Sequence, residues 1–173
     1  MRLDASFETR ELRADGFDLA VRYGRPGHVE GRRIFAETLL PVCSPKLLKQ
    51  VPLAAPADLR RHTLLQVSAM GHGGMPIEWG PWLQAAGLAD LEPRATLSFS
   101  GYGEAITAAL AGQGVALGRR PLVDELLRRR QLVAPFEGDT ASSRAYFLIV
   151  EATARDRPAV RALERWLLQQ AQV

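Results

Sequence analysis

Apolar and polar positions along this chain keep switching between a helical and a strand-like period. Glu8 to Ala14 has helical spacing that Asp15-Gly16 ends, and Phe17 to Val21 follows as a strand broken at Tyr23-Gly24-Arg25-Pro26-Gly27. Ile34 to Cys43 reads as extended, with Pro41 near an edge or crossover. Ser44-Pro45 opens a short helix through Lys49, serine as N-cap and proline at the first helical position. Pro56 to Arg61 predicts another short helix, Thr63 to Val67 a buried strand, and Met70 to Pro76, with three glycines, a loop. Trp79 to Ala86 reads as a helix capped by Gly87, and Arg94 to Phe99 as an alternating strand. Ser100-Gly101-Tyr102-Gly103 leads into a helix through Ala111, which Gly112-Gln113-Gly114 ends before the strand Val115 to Leu117, a βαβ unit. Pro121 to Arg130 follows as a helix and Gln131 to Phe136 as an extended segment. Glu137 to Ser143 is polar and flexible, a candidate boundary. Ala145 to Glu151 is a strand, and a closing helix from Pro158 carries the apolar stripe Val160, Leu163, Trp166 and Leu167. Alternating helices and strands predict an α/β fold on largely parallel sheets.

The 173 residues, 47% of them hydrophobic, suffice for a core. No apolar stretch is long enough to span a membrane, and Met1-Arg2-Leu3-Asp4 lacks the apolar core of an export signal. Cys43 is the only cysteine, so no internal disulfide forms and the cytoplasm is the expected compartment. Twenty-two Lys and Arg against 19 Asp and Glu leave a net charge of +3. The basic runs Arg119-Arg120 and Arg128-Arg129-Arg130 lack interleaved aromatics and sit beside Asp124 and Glu125, which reads as a solvated helix end rather than a DNA-binding face.

Catalytic patterns fail one after another. A nucleophile elbow at Ser100 has Ser98 where its first glycine belongs. Gly101-Tyr102-Gly103 lacks the third glycine of a dinucleotide loop, since Ile106 stands there, and Gly114 and Gly118 lack the Lys-Ser or Lys-Thr of a phosphate loop. His28, His62, His72 and Cys43 show no metal-ligand spacing, and a lone cysteine is more often a buried small hydrophobe than a nucleophile. The expectation is binding without catalysis, and with no cofactor or metal.

Three stretches, in order and spacing, resemble the LysR-type regulator family, near its glycine-cleavage and beta-lactamase regulators: Phe17-Asp18-Leu19-Ala20-Val21-Arg22-Tyr23-Gly24, Leu39-Leu40-Pro41-Val42-Cys43-Ser44-Pro45, and Ala108 to Gly118. Arg157 to Arg161 with Trp166-Leu167-Leu168 resembles the family's closing helix. The resemblance implies the effector-binding domain of such a regulator, with a periplasmic-binding-protein type II-like fold: two α/β lobes joined by crossover strands, residues 1–40 plus 141–173 and residues 41–140. It further implies that the DNA-binding part, the linker and the front of the first lobe are missing, that Met1 to Ala5 is the lobe's second strand, and that the intact protein is a homo-oligomer reaching DNA through its N-terminal domain.

A small anionic or zwitterionic effector is then expected between the lobes. The rule that ligands bind outside the carboxyl ends of strands, beside helix N-termini, selects Arg22, Tyr23, Val67, Ser68, Ser100, Gly101, Tyr102, Gly118 and Arg119. Ser100 and the amides of Gly101 and Tyr102 either hold a carboxylate or simply cap a helix; Arg22 and Tyr23 either contact the effector or occupy a surface turn. Trp79 and Trp82, three apart, read as packing. The competing functions on this scaffold are a transporter's solute-binding protein and an enzyme.

Overall fold

The computed structural model describes residues 1–6, 8–68, 77–137 and 139–171, so the loop expected over Met70 to Pro76 lies outside the described residues. The chain divides into two compact units, Met1–Glu37 with Ser142–Val173, and Thr38–Ala141.

In the first unit, β1 (Leu19–Gly24) pairs antiparallel with β6 (Thr140–Val150), from Leu19 opposite Val150 to Gly24 opposite Ala145. The last strand of the chain lies between β1 and β2 (Arg32–Val42). The closing helix α5 (Pro158–Gln170) starts on a proline, as its sequence requires, and Arg157 just before it is paired with Asp18 at 2.6 Å. Val160 is the one buried residue of α5, and Trp166, placed by its spacing on the apolar stripe, is instead 54% exposed.

In the second unit the order is β2, β5 (Val115–Arg120), β3 (Thr63–Val67), β4 (Ala95–Phe99). β3 runs parallel to both β4 and β5, and β2 runs antiparallel to β5. Alternation along these strands feeds two apolar clusters: Leu64, Val115 and Leu117 join Trp79, Trp82 and Leu47, while Leu65 and Ala116 join Ile106, Ala109 and Val123. Apolar residues thus occupy both faces of this sheet, which explains near-continuous apolar runs such as Val115-Ala116-Leu117. The Trp79 indole N–H donates to the Leu65 carbonyl at 3.1 Å, so the two tryptophans are packing residues, as their spacing suggested.

The turn and cap chemistry read from the sequence recurs in α1 (Pro45–Gln50), whose N-cap Ser44 accepts from the Leu47 N–H, and in α2 (Trp79–Ala85), followed by Gly87 at φ 70°. The helix α3 (Tyr102–Leu110) lies between β4 and β5 in sequence.

Several expectations are corrected. Glu8 to Ala14 forms no helix: Asp15 N–H donates to the Glu11 carbonyl and Phe17 N–H to the Leu12 carbonyl in a single turn, and with only Leu12 buried there is no apolar face to support more. Met1–Ser6 is exposed and carries no strand. Pro56–Arg61 is a 3-10 helix. Of Pro121 to Arg130 only α4 (Asp124–Arg128) is α-helical, ended where Arg130 turns to φ 56°. Gln131 to Phe136 is no strand, because only Val133 bridges to Cys43 and Pro135 has no N–H to donate. The segment 140–143, expected as a flexible boundary, belongs to β6. The sheet pairing is also mixed rather than largely parallel.

Candidate functional site

Parallel pairing gathers the carboxyl ends of β3, β4 and β5 at one edge of the second unit, the end of a parallel sheet at which ligands bind in α/β folds. Ser68 N–H donates to the Phe99 carbonyl at 3.0 Å and ties the ends of β3 and β4 together. Beyond them, Ser100 is exposed and stands outside the helix, since the N-cap of α3 is Gly101, in extended conformation at φ −130° and ψ 150° with no side-chain cap. The capping reading of Ser100 therefore fails. The place a cap would take is filled by Glu104, in the first turn of α3, whose carboxylate folds against the Gly101 Cα in space that a Cβ would need.

Tyr102, the first residue of α3, reaches the end of β5. Its hydroxyl accepts from the Arg119 backbone N–H at 2.8 Å, and the Arg119 guanidinium carbon stands 5.6 Å from the centre of its ring. Arg119 is only 9% exposed. Val67 and Gly118 face inward instead: Val67 is buried in mutual hydrogen bonds with Ile77, and a Cβ on Gly118 would stand 2.9 Å from a Val42 methyl. The second unit thus brings together Ser68, Ser100, Gly101, Tyr102 and Arg119 at its strand ends, with Val67 and Gly118 packed beneath.

Arg22 and Tyr23 belong to the first unit. Arg22 turns its guanidinium to the Arg10 carbonyl. Tyr23 lies opposite Tyr146 in the β1–β6 ladder, ring centres 5.0 Å apart, and donates its hydroxyl to Glu37 at 2.6 Å. The Arg144 guanidinium stands over the Tyr23 ring at 5.6 Å. Glu37 is 3% exposed, so among the described residues Glu37 in the first unit and Arg119 in the second are the buried carboxylate and guanidinium. Because an isolated ion costs so much to desolvate, such residues are held by the partners that surround them. Sequence reasoning selected Arg119 but missed Glu37, Arg144 and Tyr146. The signal for Glu37 was available: an acid, followed by Thr38, inside the largely apolar run from Ile34 to Val42.

Cys43, by contrast, is fully buried, and burial pushes its thiol from an ordinary value near 9.0 up to about 12, the opposite of what a nucleophile needs.

The LysR substrate binding domain model matches residues 1–172. The chain belongs to that family. It is 33% identical to the glycine cleavage system transcriptional activator of Escherichia coli K12 across 99% of its own length and 55% of that protein's. The HTH-type transcriptional activator AmpR of Pseudomonas aeruginosa is 30% identical over all of this chain and 56% of AmpR. The chain therefore spans little more than half the length of these relatives. Among solved structures, the AmpR effector domain of Pseudomonas aeruginosa superposes with a TM-score of 0.73 at 29% identity, covering 99% of this chain and 80% of that domain. The AmpR effector-binding domain of Citrobacter freundii gives 0.72 at 26% identity, covering 96% and 80%. The LysR-type chain is thus a ligand-sensing regulatory domain with the periplasmic-binding-protein type II-like fold of these effector domains.

Proposed function

We propose that this domain senses a small anionic or zwitterionic metabolite, bound through the strand ends of its second unit. In the intact, cytoplasmic, homo-oligomeric regulator, effector binding then controls transcription through an N-terminal DNA-binding domain; the names of the relatives, transcriptional activators, support that reading. The observation that carries this reading is the Arg119–Tyr102 pair: a buried cation fixed by an aromatic ring beside the N-terminus of α3, whose field also favours negative charge. Glu37, Tyr23 and Tyr146 give the first unit an acidic and aromatic character of its own, suited to a cationic group. The domain works by binding, and the purified chain is expected to turn over no amino acid, ester or nucleotide.

Calorimetry with a panel of small carboxylates and amino acids tests the reading. Arg119→Ala is expected to weaken the best ligand by about 1.5–3 kcal/mol and Arg22→Ala less, because Arg22 already serves the Arg10 carbonyl; Ser100→Ala should cost about 1 kcal/mol or under. Glu104→Gln removes a carboxylate that lies over the α3 terminus and should strengthen binding of anions. A ligand whose affinity is indifferent to Arg119, Ser100 and Glu104 would place the effector elsewhere.

A further inference from the structure

On one face of the sheet in the first unit, strand alternation gathers aromatic rings, an acid and an arginine. Tyr23 on β1 lies opposite Tyr146 on β6, and Arg144, next but one before Tyr146, points to the same side of that strand. Phe35 and Glu37 likewise share a side of β2. Contacts join the strands across this face: Tyr146 meets the Tyr23 ring at 5.0 Å and the Phe35 ring, edge-on, at 6.5 Å between centres, and the Tyr23 hydroxyl donates to Glu37. Glu37 is buried, whereas both tyrosines, Phe35 and Arg144 are half-buried and reach solvent.

Rings and a buried carboxylate on one face favour a cation: the ring faces carry negative charge density, and a carboxylate out of water needs donors or positive charge near it. The protein itself shows which cation fits, because the Arg144 guanidinium stands over the Tyr23 ring, 5.6 Å from its centre. Tyr23 thus turns its hydroxyl to the acid and its ring to the guanidinium. At a half-exposed site a cation–π contact shifts an equilibrium only about two- to fivefold, so Arg144, on a long flexible side chain, is an occupant that a competing cation can replace. A guanidinium suits the place better than an ammonium, since its planar fork matches a carboxylate and stacks on aromatic rings. We propose that this face of the first unit binds a small molecule bearing a guanidinium group, and that Arg144 is the internal stand-in which the ligand displaces. The site uses none of the strand-end residues of the second unit and stands apart from the anion reading.

The test titrates the full chain with ethylguanidinium, a copy of the end of an arginine side chain, and with ethylurea, its neutral isostere, following the tyrosine ring signals by NMR. Neither probe carries an anionic group, so the outcome does not depend on whether the second unit binds anions. The parent should bind ethylguanidinium saturably in the millimolar range and ethylurea not at all. Arg144→Gln, which removes the internal occupant, should tighten ethylguanidinium roughly two- to fivefold. Adding Glu37→Gln to that variant should weaken it by roughly tenfold. If the added substitution costs the protein its native circular dichroism spectrum, Tyr146→Leu, which leaves the carboxylate in place, should weaken binding several-fold instead. Absence of a saturable shift in both the parent and Arg144→Gln, equal binding of ethylurea, an Arg144→Gln variant no tighter than the parent, or indifference to Glu37 and Tyr146 would each overturn the proposal.

Discussion

Glu37 depends on the Tyr23 hydroxyl at 2.6 Å for part of the stabilisation that water would otherwise give its charge. Tyr23→Phe keeps the ring against Tyr146 and removes that one donor, so a urea unfolding titration should show a loss of about 1.5–3 kcal/mol, the usual worth of a hydrogen bond to a charged group. A loss under about 0.5 kcal/mol would mean that solvent reaches Glu37 and that its burial imposes no special demand. Cys43 gives a pH-dependent counterpart. Its thiol is held neutral in the folded protein up to about pH 12, while in the unfolded chain it ionises near 9.0. Its contribution is therefore complete below pH 9 and declines as pH rises from there toward 12, because only the unfolded state then sheds the proton. Iodoacetamide at pH 8 should leave the native thiol unmodified and label it only as fast as the protein opens; rapid stoichiometric labelling of the folded chain would contradict its burial.

At the scale of elements, what the sequence made legible was whatever local chemistry decides. Ser44-Pro45 at the start of α1, Gly87 after α2, and the glycines around α3 follow from cap and turn preferences that act within a few residues. Pairing was harder to read, because a strand's partner lies far along the chain: the antiparallel β1–β6 ladder joins residues 19–24 to 145–150, and nothing in the alternation at Leu19 points to Val150. The site shows the same division. Tyr102 and Arg119 were found because both sit where a strand meets a turn, whereas Arg144 and Tyr146 enter only through the ladder that sets Tyr146 against Tyr23. Among the described residues the strand order also leaves β1 and β4 each paired on one side only, with Val21 and Leu97 47% and 43% exposed. Open edges with apolar side chains recruit further strands. Light scattering after size-exclusion chromatography should show association that grows with concentration and is suppressed by Val21→Lys and Leu97→Lys; a concentration-independent monomer would show that both edges are blunted.

For the molecule as a whole, a net charge of +3 spread over both units gives weak attraction for a polyanion. In a gel-shift assay at near-physiological salt, the 173-residue chain should leave a promoter fragment unshifted, and sequence-specific retention would overturn the assignment of DNA contact to another domain. β6 lies between β1 and β2, yet it is made after all the other described strands, once the second unit, a stretch of about a hundred residues, has been synthesised. On a ribosome adding about 5–20 residues per second, β1 therefore waits roughly 5–20 s for the strand it pairs with among the described residues, while the described strands of the second unit are already made. A nascent chain halted before Thr140 should carry a protease-resistant second unit and a first unit that proteases still cut, because the sheet of the first unit cannot close until β6 has been made.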